Sequence, residues 1–134
     1  MRLATRDNGA ADGELVIVAA DGTRCVPAGA DWPNLLAAIA DWQAASKTLA
    51  SIDLQGGEPL NPASLRAPMP RSWQWLDGSV FDTHARLMKI AFGTEEIENA
   101  RPLMYQGMSD RFLGGREDVP FASEEDGIDF EGEF

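Results

Sequence analysis

Between residues 32 and 53 the apolar side chains Leu35, Ile39, Trp42, Leu49 and Ile52 recur at spacings of four, three, seven and three. That repeat marks one face of a helix. Asp31 stands where it can cap that helix, and Pro33 falls in the first turn, where a missing N–H costs nothing. Gln55-Gly56-Gly57 supplies the stop. One apolar stripe needs a surface to cover, and residues 2–26 offer one. Leu3 to Arg6 alternates, Asn8-Gly9 and Asp12-Gly13 are turn signals, and Glu14 to Ala20 is a β-branched run. Asp21-Gly22 then marks a tight hairpin, with Thr23 to Val26 returning. The expectation is an α+β module: a small antiparallel sheet packed by one long helix.

Beyond the helix, Pro59, Pro62, Pro68 and Pro70 interrupt residues 58–72, which read as a connecting loop. The boundary is placed there, with residues 1–67 as an N-terminal domain and 68–134 as the start of another. A second helix is expected from about Val80 to Phe92, with Ser79 as its cap and Gly93 as its stop. Residues 94–127 read as irregular, broken by Pro102, Gly107, Gly114-Gly115 and Pro120. Gly127 opens a closing strand.

Charge narrows the function classes. The formal net charge is −11, yet eight acidic residues and no basic one fall in residues 117–134, and taking those eight away leaves −3. The acidity therefore belongs to one segment, which suits cations or a partner with a basic face. Nucleic-acid binding is not expected, because phosphate contacts need clustered Lys and Arg. Cys25 is the only cysteine, cannot form an internal disulfide, and has no base beside it; it reads as a small apolar filler in a reducing cytoplasm. The first residues lack the apolar stretch of a signal peptide, and no run reaches the roughly 18 apolar residues that cross a bilayer.

Four side chains carry the candidate chemistry. Glu131 and Glu133 are two apart, so an extended strand points both carboxylates to one side, about 7 Å apart. Such a pair repels itself unless a hard divalent cation lies between its members. Alone it is more often the wet face of an edge strand. Asp77 precedes His84, the only histidine, by seven residues. Either one helix runs through both and aligns them, or Gly78 sets Asp77 just ahead of the helix, near the positive end of its dipole. A lone aspartate in that place is most often a cap, and a histidine beside Val80, Leu87 and Ala91 is more often a packed residue than a base.

Together these segments resemble the fumarylacetoacetate hydrolase family. Pro70-Arg71, Trp73-Gln-Trp-Leu-Asp-Gly-Ser79, His84, Pro102-Leu-Met-Tyr-Gln-Gly107 and Gly127-Ile-Asp-Phe-Glu-Gly-Glu133 look like its successive signatures, in order. The weaker matches are the start, Met-Arg-Leu-Ala-Thr, and the Asp-Gly-Glu-Leu-Val-Ile-Val strand. The resemblance implies that Asp77, Glu131 and Glu133 ligate Mg²⁺ (or Ca²⁺ or Mn²⁺). It further implies His84 as general base and Tyr105 as a substrate contact. It also implies an enzyme of aromatic-compound catabolism: a hydrolase, hydratase or decarboxylase of small β-dicarbonyl or 2-oxo acids, homodimeric at full length. Residues 68–134 would then supply the first helix and strand of a mixed β-roll. A further metal-binding aspartate, a lysine and the carboxylate that orients His84 would lie beyond Phe134, so a fragment inactive alone is expected. Two other classes stay open: a non-catalytic module that docks a separate catalytic half through surfaces at Trp32, Trp42, Trp73 and Trp75, and a stand-alone interaction domain.

Overall fold

The computed structural model describes residues 1–93 and 101–132. The chain divides into two compact units, one made of Met1–Pro70 with Phe112–Phe134, the other of Arg71–Arg111. The fold is α+β, and no described helix is long and apolar enough to cross a membrane.

In the first unit, β1 (Arg2–Arg6), β2 (Glu14–Val18), β3 (Arg24–Pro27) and β4 (Glu58–Pro59) form an antiparallel sheet in chain order. Arg2 pairs with Val18 and Arg6 with Glu14, so a five-residue register fixes which side chains share a face. Leu15 and Ile17 turn toward the helices and pack with Ala38, Ala45 and Leu49. Val16 and Val18 turn the other way and pack with Cys25, Ala4 and Leu60. Four consecutive residues of β2, Leu15 to Val18, are therefore buried. A central strand covered on both faces reads as a continuous apolar run, and this one does. The turn between β1 and β2 needs Gly13: its φ is +64°, and a Cβ there would lie 2.5 Å from Thr5 Cγ2 and 2.8 Å from the Arg6 carbonyl oxygen.

The expected helix over 32–53 is instead two helices, α1 (Leu35–Ala40) and α2 (Trp42–Ser51), divided at Asp41, whose φ of −127° leaves the helical region. Its cap is Asn34, not Asp31. The Asn34 side chain accepts the Ala37 N–H at 2.9 Å, while Pro33 stays outside and its carbonyl accepts the Leu15 N–H. The break resets the phase of the stripe. Leu35, Leu49 and Ile52 meet the core, but Ile39 and Trp42 stand nearly half exposed, and the small residues Ala38 and Ala45 take the contact against β2. Small side chains there let the helix backbones approach the strand closely.

Residues 58–67, read from the sequence as part of a connecting loop, are hydrogen-bonded to the sheet. The Leu60 N–H donates to the Thr23 carbonyl, the Asp7 N–H to the Ser64 carbonyl, and the Arg66 N–H to the Thr5 carbonyl. An isolated bridge joins Leu65 to Arg6. The segment thus starts on the β3 edge, ends on the β1 edge, and lays Leu60 on the face opposite the helices. Part of each edge gains backbone partners this way. Arg6 fastens the crossing. Its guanidinium reaches Glu14 at 2.6 Å and Glu58 at 2.5 Å, and those carboxylates, Glu58 first, push its proton affinity still higher. Thr5, buried to 1%, donates its hydroxyl to the Pro68 carbonyl.

The second unit pairs β5 (Leu76–Ser79) antiparallel with β6 (Leu103–Gln106) and carries α3 (Asp82–Phe92) after β5. The helix starts behind Phe81, two residues later than Ser79 would set it, and stops at Gly93 in the left-handed region as expected. Strand β6 lies inside a stretch whose Pro and Gly residues suggested irregular backbone; pairing with β5 makes it a strand. Residues 128–132, expected as a closing strand, carry no regular secondary structure, and no described strand pairs with them.

Candidate functional site

The β5–β6 register sets Asp77 directly opposite Tyr105. Side chains alternate along a strand, so Trp75 and Asp77 share one face of β5, and Tyr105 shares it across the ladder with Gly107 beyond the strand end. The Tyr105 hydroxyl donates to Asp77 Oδ2 at 3.0 Å. Trp75 meets the Tyr105 ring edge-on, with centroids 5.9 Å apart and planes at 68°. The Gly107 N–H donates to the Trp75 carbonyl at 3.1 Å, and a Cβ on Gly107 would come within 2.2 Å of the indole. Glycine is required there by contact, not by φ. The opposite face carries Gln74 and Gln106, 3.5 Å apart.

Asp77 accordingly lies on a strand, neither inside a helix nor capping one. His84 lies in the first turn of α3, its backbone N–H donating to the Phe81 carbonyl at 3.0 Å. Its side chain is exposed, and no described residue hydrogen-bonds its imidazole. Glu131 is exposed on irregular backbone in the other unit, and Glu133 lies outside the described residues. Among the described residues no three His, Cys, Asp or Glu side chains gather as an ion's ligands. Asp77 and Glu131 each supply hard oxygen, the donor chemistry that suits Mg²⁺, but singly.

Of the sequence candidates, then, Asp77 and Tyr105 are brought together by a hydrogen bond. Trp75 and Gly107, which hold Tyr105 in place, had not been singled out for that role. Their signal is positional: each lies two residues from a candidate, hence on the same strand face.

The class of protein follows from sequence comparison with this fold. The family model for the fumarylacetoacetase N-terminal domain 2 matches residues 1–71, which span the four-stranded sheet, both helices and the crossing segment. The chain belongs to the fumarylacetoacetate hydrolase family. No curated protein gives a match.

Proposed function

We propose that the chain is the N-terminal part of a divalent-metal-dependent hydrolase or lyase acting on small β-dicarbonyl or 2-oxo acids. The single observation that carries this is the Asp77–Tyr105 pair across the β5–β6 ladder, whose first strand leads into the helix that bears His84. Family membership through residues 1–71 supports it. In this reading Asp77, Glu131 and Glu133 hold Mg²⁺, Ca²⁺ or Mn²⁺, and Tyr105 lies beside the substrate. A divalent ion held there would supply Lewis-acid chemistry. His84 takes the proton from an attacking water as general base. In the same proposal residues 1–134 alone are without turnover. The full-length form is a cytoplasmic homodimer in the same proposal.

A calorimetric Mg²⁺ titration tests the ligand set. The wild-type chain should bind more tightly than a variant with Glu131→Gln and Glu133→Gln, and identical isotherms would remove both glutamates from the shell. Turnover of an acylpyruvate or fumarylacetoacetate by the purified 134-residue chain with Mg²⁺ would overturn the proposed inactivity.

The surface of α3 favours a second reading. None of its residues is buried, and Leu87, Ile90 and Phe92 are 59%, 80% and 69% exposed. As a non-catalytic module the chain docks a separate catalytic half through such apolar surface. Mixing the two polypeptides should then restore turnover that neither shows alone.

A further inference from the structure

We propose that Tyr105 is a positioning residue for the Asp77 carboxylate, holding one of its oxygens so that the other is the one offered to a ligand. The contact is built into the β5–β6 ladder. Strand register sets the two residues opposite each other, and the hydroxyl reaches Oδ2 at 3.0 Å. Three further features fix the phenol ring before it meets the carboxylate. Trp75 packs edge-on against it, Gly107 ties its N–H to the Trp75 carbonyl, and the missing Gly107 side chain leaves the space the indole fills. Gly107, Trp75, Tyr105 and Asp77 thus form one contiguous chain of contacts across two strands. An aspartate on an open strand otherwise turns about its side-chain bonds, and a donor on one oxygen removes much of that freedom. Groups that hydrogen-bond a ligating carboxylate from behind orient it in this way. This role differs from a substrate contact because the hydroxyl acts through Asp77. It rests on the metal-dependent reading for what Asp77 binds, but not for the link itself.

The chain holds one tyrosine, so [13Cζ]tyrosine labelling of the 134-residue protein gives one resonance. Asp77→Ala should move that resonance while leaving the circular dichroism unchanged; a resonance that ignores the substitution overturns the link. A Mn²⁺ titration reads the consequence. Tyr105→Phe keeps the ring and loses the hydroxyl, and it should weaken ion binding about tenfold. Tyr105→Leu serves as the packing control. Should wild type and Tyr105→Phe bind Mn²⁺ equally while Tyr105→Leu binds it less, the ring rather than the hydroxyl is what counts, and the proposal is lost. If wild type binds no Mn²⁺ yet Asp77→Ala still moves the label, the metal-dependent reading fails and the tyrosine–carboxylate link stands. The opposite pattern, binding without a label response, sinks the link alone.

Discussion

Residues 1–70 and residues 71–111 spend their apolar side chains differently. In the first region Leu15, Ile17 and Leu49 are buried to within 2%, and β2 is covered on both faces. In the second no described residue is buried, although Trp73, Phe81, Leu87, Ile90 and Phe92 are all there. The first region is held by packing, at roughly 1.5–3 kcal/mol for each large side chain taken from water. The second is held by one strand ladder, one aromatic pair and a short helix, and an isolated two-stranded hairpin is marginal in water. The candidate chemistry of Asp77, His84 and Tyr105 sits in the region with the weaker support. A site built there depends on particular contacts, not on a core.

This contrast can be broken by substitution. The largest effect is expected from Leu15→Ala or Leu49→Ala, each costing about 2–5 kcal/mol in chemical denaturation because a cavity is left in a two-sided core. Ile90→Ala on α3 should change the same transition by less than about 0.5 kcal/mol. Comparable losses at Leu15 and Ile90 would erase the distinction between the regions. Gly107→Ala is next, at about 1–3 kcal/mol of overpacking, since its new methyl would meet the Trp75 indole at 2.2 Å. The damage should stay local. The Trp75 and Tyr105 resonances should shift while those of Leu15 and Ile17 keep their positions.

Asn34→Ala removes the side-chain acceptor of the Ala37 N–H and should cost about 1 kcal/mol. Asp31→Ala should cost nothing measurable, and the reverse ranking would restore the aspartate as the cap. The smallest effect belongs to Asp21. The Thr23 N–H, then the Thr23 hydroxyl, hold this carboxylate below its usual range. A lowered folded-state value means its contribution is present above the ordinary aspartate range and fades as pH falls through the lowered value. Asp21→Asn should therefore lower stability slightly at neutral pH, and the two stability profiles should converge as pH falls.

Local patterns made parts of this molecule readable in advance. Alternation and β-branched residues mark β1 to β3, and Asp21-Gly22 marks the hairpin because its glycine takes a φ of +75°. Gly93 marks the end of α3 by the same means. The interruption at Asp41 left no such mark, since Trp42 and Leu49 continue the helical repeat across it. Strands β4 and β6 were likewise invisible. Glu58-Pro59 has no strand pattern, and Leu103–Gln106 is four residues among Pro and Gly. Each is a strand only because a partner lies alongside. At the candidate site, Asp77, His84 and Tyr105 were legible as residue types, while the hydrogen bond between Asp77 and Tyr105 was not.

What the amino-acid order determined alone is what depends on neighbours a few positions away: turn glycines, strand alternation, helix periodicity and the identity of the chemical groups. Tertiary structure decided what depends on distant residues meeting. It sent residues 58–67 from one sheet edge to the other, moved the helical contact to Ala38 and Ala45, and set Tyr105 opposite Asp77. The reason is one of range. Backbone preference acts within a turn or two, whereas register and burial arise only when separate segments compete for the same partner surface.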